Sequence, residues 1–266
     1  MKVDAAALTD IGLVRDHNED ALLSEPPLFV VADGMGGHLG GEVASAIAIE
    51  TLRDGFSKRG PEGLADSVRR ANEAILQRGQ ADPAVEGMGT TITAAVLTGS
   101  TLHIAHVGDS RAYIRREGEL LLVTNDHTLV GEMVREGTLS DDQARVHPRR
   151  SILVRALGIE TDVEVDLTDL PLQAGDRLLL CSDGLNSLIT DELITELCAP
   201  EYTPEEACTR LVEAANQAGG TDNITVIVAD FAEGTEEASD LTEATDAPAE
   251  GAQGRGFMDR LLRRKT

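Results

Sequence analysis

Apolar residues recur along this chain with two different periods. Continuous or alternating apolar stretches predict strands at Val3–Leu8, Leu28–Ala32, Thr91–Leu97, Leu102–Val107, Arg111–Arg115, Leu120–Val123, Val163–Leu167, Arg177–Cys181 and Asn223–Ala229. Thr98-Gly99-Ser100, Gly108-Asp109 and Glu117-Gly118-Glu119 separate neighbouring strands as tight hairpins do, so Thr91 to Val123 reads as an antiparallel meander. A spacing of three or four residues predicts helices at Gly41–Gly55, Pro61–Arg78 and Thr203–Ala218. The second has Pro in its first turn and apolar positions at Leu64, Val68, Ala71 and Ile75. The third opens on Thr203-Pro204-Glu205-Glu206, the pattern of a capping box. Helices bracketing a strand-rich middle imply layers, with helices outside sheets.

The segment 125–155 breaks this pattern. It is rich in Arg, His and Asp, carries a short helical pattern at Leu129–Glu136, and is too long for a plain connector. Beyond Asp230 the pattern changes again. Glu233–Glu250 holds seven acidic and no basic residues, a composition expected to stay disordered. Arg255–Thr266 then sets Phe257, Met258, Leu261 and Leu262 among five basic residues, either as a short amphipathic helix for a partner or membrane surface or as a solvated tail. These end segments carry only −3 of the net −24, so the rest of the chain carries −21.

Such acidity excludes a nucleic-acid partner, whose phosphates it would repel, and otherwise serves solubility. Aromatic residues make up 2% of the 266 residues and Trp is absent, so Ala, Val, Ile and Leu must fill the core and bases have little to stack on. Cys181, Cys198 and Cys208 are odd in number and form no CxxC pair; they read as small apolar fillers rather than disulfide or zinc ligands. Asp4, Asp10, Asp16 and Glu19 rule out a secretory signal in the first twenty residues, and no apolar run reaches the roughly 18 residues of a membrane span. A soluble, cytoplasmic protein is expected, acting as a monomer.

The chemistry lies where carboxylates meet strand ends. Asp33 follows the run Leu28–Ala32 and precedes Gly34-Met35-Gly36-Gly37; Asp183 follows Leu178–Cys181 and precedes Gly184; Asp222 precedes the strand from Asn223. One Asp-Gly is an ordinary turn. Two after long apolar strands, with a third Asp at a strand start, suggest carboxylates gathered at a sheet rim. Gathered carboxylates need a cation to remain ionised, and an all-oxygen set favours Mg²⁺ or Mn²⁺ over zinc. Upstream, Arg15-Asp16-His17-Asn18-Glu19-Asp20 offers a guanidinium able to clamp a phosphate beside further acids, although such a run alone is most often a solvated loop. Neither a phosphate-binding GxxxxGK[ST] loop nor a GxGxxG or Gly-x-Ser-x-Gly motif is present.

In order, Arg15–Asp20, Val30–His38, Gly89-Thr90-Thr91, Val107–Arg111, Ser182-Asp183-Gly184-Leu185 and Gly220–Thr225 resemble the type 2C, or PPM, family of metal-dependent protein phosphatases in its compact bacterial form. The resemblance spans nearly all of residues 1–231. It implies an α+β fold, a four-layer α/β/β/α sandwich of two antiparallel sheets flanked by helices, as a catalytic domain over 1–231, with 125–155 as a mobile flap and 232–266 as an acidic linker and short basic tail. It also implies two core Mn²⁺ or Mg²⁺ ions and a third, weaker one. Asp33 would bridge the core pair. Asp183 and Asp222 would bind one ion; the Gly34 carbonyl, with Glu19 and Asp20 through water, would serve the other. Arg15 would grip the substrate phosphate. Asp109 and Asp183 would hold the third ion, with Ser151 close by, and Asn223 would support the ligands. The implied reaction is in-line attack on phosphoserine or phosphothreonine by a water bridging two ions, in signalling opposite a Ser/Thr kinase and its substrates. One departure stands out: eukaryotic members often carry His after the Asp-Gly, where this chain has Met35, which leaves the proton donor open between His38, a metal-bound water and no group at all. Two rival readings remain: a catalytically silent binding module, and a phosphatase for small molecules or one dedicated regulatory protein.

Overall fold

Along β3 (Leu28–Met35), Phe29 and Val31 enter one core while Leu28, Val30 and Ala32 enter another. A strand buried on both faces reads as an unbroken apolar run, and this alternation organises the whole protein. The computed structural model describes residues 1–36, 39–59 and 63–233. One sheet runs in the order β1 (Lys2–Asp10), β11 (Ile224–Ala232), β10 (Arg177–Cys181), β7 (Arg111–Arg116), β8 (Glu119–Leu122). The other runs β2 (Asp20–Glu25), β3, β5 (Ile92–Thr98), β6 (Thr101–Val107), β9 (Asp166–Pro171), with the short β4 (Gly89–Thr90) paired to the end of β3. All these pairings are antiparallel.

Between the sheets, Phe29, Val31, Leu102 and Ile104 meet Ile114, Leu178, Leu180, Ile227 and Phe231. On the outer face of the second sheet lie α1 (Gly40–Arg59) and α2 (Leu64–Ala81); Leu64, Val68, Ala71 and Ile75 form the buried stripe that their spacing predicts. On the outer face of the first sheet lie α5 (Asp183–Asn186), α6 (Asp191–Leu197) and α7 (Pro204–Gln217). The result is the expected α/β/β/α sandwich. The capping box forms as predicted: Thr203 Oγ1 accepts from Glu206 N (3.2 Å) and Glu206 Oε2 accepts from Thr203 N (2.9 Å). All three cysteines are buried and free.

The meander is a correction. β5–β6 and β7–β8 are hairpins, but Gly108-Asp109 does not join a third. β6 pairs with β9, β7 pairs with β10, and the Gly108–Ser110 link crosses from one sheet to the other. Hydrophobic alternation identifies strands without saying which sheet each joins. Several elements escape the pattern: β2, apolar only at Ala21, Leu22 and Leu23, the short β4, α5 and α6, and a short helix at Asp141–Arg145. The strand predicted at Val163–Leu167 lies instead at Asp166–Pro171, because Val163 and Val165 are apolar for packing under α1 and α2, not for strand pairing. Pro61 and His38 lie outside the described residues, as does 234–266, which includes most of the acidic linker and all of the basic tail.

Between β8 and β9 the excursion carries α3 (Leu129–Arg135), as its pattern predicts, and α4 (Asp141–Arg145). Its two legs are joined at the base by the Thr128–Leu153 bridge and by Leu129 N–H donating to the Ile152 carbonyl at 2.8 Å.

Candidate metal centre and active site

The antiparallel register of β2 and β3 places Asp20 opposite Asp33, on the face that Phe29 and Val31 turn toward the other sheet. From that other sheet, β10 ends beside the start of β11, where Cys181 pairs with Val226 and Ser182 N–H donates to the Thr225 carbonyl at 3.0 Å. Asp183 and Asp222 leave these two strand ends. Ser182 fastens the sheets together at this rim: its hydroxyl donates to Asp20 Oδ2 at 2.7 Å and accepts from Thr225 N–H at 3.0 Å. Both Asp-Gly pairs have a steric reason. A Cβ on Gly34 would sit 2.2 Å from the Gly41 carbonyl oxygen, and one on Gly184 would sit 2.0 Å from that of Asn223.

Asn223 organises the loop from β1 to β2. Its Nδ2 donates to the Ile11 and His17 carbonyls, both at 3.0 Å, while its Oδ1 accepts from Glu19 N–H at 2.9 Å. That loop brings Arg15, half exposed, to the rim, where Nη2 donates to Asp222 Oδ2 at 2.7 Å. Glu19 is turned toward the start of α1: its carboxylate accepts from the Gly41 amide, and its carbonyl accepts from Ser45 Oγ at 2.6 Å. Asp109, almost fully buried, sits in the crossover between the sheets. Ser151 is exposed on the returning leg of the excursion, and no hydrogen bond to its side chain is seen among the described residues.

The electrostatics follow from burial. Desolvation first, then the neighbouring carboxylates, push Asp20 up to about 7 and Asp183 up to about 6, and hold Asp33 and Asp109 well above the usual carboxylate range. Glu19 is raised too, chiefly by burial, against the pull of Arg15 and the Gly41 amide. Arg15 is raised by its bond to Asp222. Structure thus gathers Asp20, Asp33, Asp109, Asp183 and Asp222 with Arg15 and Glu19. The sequence pattern assigned no role to Ser182, which adjoins Asp183, or to Thr225, whose place at the rim depends on the pairing of β10 with β11.

The model of the protein phosphatase 2C family matches residues 14–222. The chain belongs to the protein phosphatase 2C family. It is 46% identical over 231 residues to the serine/threonine protein phosphatase PstP of Mycobacterium tuberculosis, a match covering 85% of this chain and 44% of that protein. The chain therefore spans less than half the length of that relative. It is 39% identical over 233 residues to the serine/threonine phosphatase stp of Listeria monocytogenes, covering 83% of this chain and 92% of the relative. Among solved structures, the catalytic domain of PstP in complex with two manganese ions superposes with a TM-score of 0.80 at 41% identity, covering 87% of this chain and 99% of that one.

Among the described residues, no group of three His, Cys, Asp or Glu side chains is already drawn to ligand spacing around one point. Arg15 holds Asp222, and the other carboxylates carry charge that burial disfavours. An oxygen-only set whose pKa values are raised by burial first and by neighbouring carboxylates second fits hard divalent cations, which retain several waters of their own.

Proposed function

We propose that this chain is a protein serine/threonine phosphatase, releasing phosphate from phosphoserine and phosphothreonine on other proteins. The observation that carries this reading is the joining, at one rim, of half-buried aspartates from both sheets with a half-exposed guanidinium. Asp33, Asp183 and Asp222 would hold one Mn²⁺ or Mg²⁺; Asp33 with the Gly34 carbonyl, aided by Glu19 and Asp20, a second; Asp109 and Asp183 a weaker third. When bound, such ions supply charge neutralisation, Lewis-acid polarisation of the phosphoryl group and a lowered pKa of water.

The chain's own residues do the rest. Arg15 presents paired N–H donors to two phosphate oxygens, orienting the phosphorus. Asn223 and Ser182 hold the Arg15 loop and Asp20 in place, so little reorganisation accompanies substrate entry. His38 is the nearest histidine in sequence to Met35 and is one candidate, beside a metal-bound water or no group at all, to protonate the departing serine or threonine oxygen. The catalytic unit is residues 1–231, with 125–155 as a flap that selects substrates and 232–266 as an acidic linker and basic tail. We place the protein in the cytoplasm as a monomer, opposing a Ser/Thr kinase; among the described residues no helix is long and apolar enough to cross a membrane.

The test is phosphate release from p-nitrophenyl phosphate and from phosphoserine, phosphothreonine and phosphotyrosine peptides. Mn²⁺-dependent turnover, lost with chelator, supports the reading. Metal-independent turnover overturns it. Activity on the small ester but on no peptide points instead to a small-molecule or dedicated substrate.

A further inference from the structure

His127 is buried at the base of the flap, 2% exposed, and its bonds converge on one residue of the crossover. Its backbone N–H donates to the Gly108 carbonyl at 2.7 Å, and its ring Nδ1 accepts from the Gly108 N–H at 3.0 Å. Both polar groups of Gly108 are thus held by a single side chain and its own peptide. The His127 carbonyl accepts from Val154 N–H at 2.9 Å, which ties in the returning leg of the flap. Because Nδ1 accepts from a backbone N–H, the ring proton lies on Nε2, 3.3 Å from Asp166 Oδ2; Arg155 Nη1 is 3.1 Å from the same Nε2 but can only donate, so it makes no bond to the ring. Arg155 Nη1 secures the same aspartate through Oδ1 at 2.7 Å.

A second histidine supports the first. His106 Nε2 must donate to the Asn125 carbonyl at 3.0 Å, since a carbonyl only accepts, so its Nδ1 accepts from Thr93 Oγ1 at 2.9 Å. Its ring lies against His127 at 4.8 Å between centroids. On the other side of the crossover, Ser110 Oγ is bonded to Thr91 Oγ1 at 2.7 Å, and Thr91 Oγ1 accepts from Asp33 N–H at 3.0 Å. Asp109 therefore lies between a residue anchored to the flap and a residue anchored to Asp33.

We propose that His127 is a positioning residue that locks the base of the flap to the Asp109 crossover, so that the flap and the Asp109 carboxylate keep one mutual placement. This rests on the phosphatase reading of the site, but the bond itself can be tested without activity. Three substitutions separate its parts. Asn places an acceptor near the position of Nδ1 and can retain the Gly108 bond; Gln reaches toward Asp166 and cannot; Ala does neither.

The experiment is amide hydrogen exchange of the full chain, wild type and three variants, alongside kinetics with a phosphothreonine peptide and p-nitrophenyl phosphate. In His127→Ala and His127→Gln, exchange at Gly108 and Val154 should quicken about five- to tenfold, the loss of one hydrogen bond of ordinary net strength. His127→Asn should restore Gly108 protection, and peptide KM should follow the same order while kcat on the small ester stays within about twofold of wild type. Equal exchange at Gly108 in all four proteins, or quickening shared equally by Val226–Ala229 in the sheet core, overturns the proposal in favour of plain packing. If wild type hydrolyses no ester or peptide while exchange follows the predicted order, the phosphatase reading fails and the lock stands.

Discussion

Asp20 and Asp33 stand opposite each other in the β2–β3 register, two carboxylates on neighbouring strands turned toward the gap between the sheets. Like charges directly opposite oppose sheet pairing, so this position is retained at a cost to the metal-free fold. Changing Asp33→Asn removes one ionisable member of the pair, whose pKa burial and the neighbouring Asp20 hold above the usual carboxylate range. Mn²⁺-dependent turnover should vanish, yet the melting temperature in chelator should rise, and Mn²⁺ should no longer raise it. Calorimetry with and without Mn²⁺ reads this; a lowered melting temperature in chelator contradicts it.

The same strain has a definite pH signature. Asp20 titrates at about 7 in the fold against an ordinary 3.8, so the folded chain holds the extra proton between these values. Its contribution to stability is present below about pH 4 and is lost as pH rises through about 7. In chelator, Asp20→Asn should therefore match wild type near pH 4 and become progressively more stable than it up to pH 7 to 8. The amide still accepts from Ser182, so the comparison isolates charge. A constant difference across the range would contradict the argument.

Arg15 reaches Asp222 through a single nitrogen, leaving its other donors toward solvent. Replacing it with Ala should lower kcat/KM on a phosphopeptide by about 10- to 100-fold, the loss of charge-assisted hydrogen bonds of roughly 1.5–3 kcal/mol. Lys should recover little of it, since a point charge cannot present paired donors. Full recovery with Lys would mean that only charge matters there.

Asn223 makes three hydrogen bonds to backbone groups of the Ile11–Glu19 loop. Asn223→Ala strands those groups, and urea unfolding should show a loss of about 2–4 kcal/mol. Activity should fall even well below the unfolding midpoint, because the Arg15 loop is then free. Unchanged activity at full folding would limit Asn223 to a purely structural role.

The sandwich was legible because its central strands are covered on both faces. β3, β10 and β11 read as unbroken apolar runs, and the capping box at Thr203 marks α7 by local chemistry alone. What was not legible was partnership. Gly108-Asp109 has the composition of a hairpin turn, yet here the turn passes between sheets, and only that passage brings Asp109 to the rim with Asp183. β2 escaped notice because its outer positions are polar, and one of those polar residues is Asp20.

The order of Arg15, Asp33, Asp183 and Asp222 was determined by the sequence, as was the attachment of the three aspartates to strand ends, since hydrophobic period and the Asp-Gly turns are local properties. Which carboxylates share a site was decided by tertiary structure, through the register of β2 on β3 and the Ser182 bond between sheets. So was the role of His127, which in sequence is one histidine in a polar excursion. Its hydrogen-bond partners lie 19 and 39 residues away, at Gly108 and Asp166. Long-range hydrogen bonds depend on where the chain returns in space, and no local pattern records that.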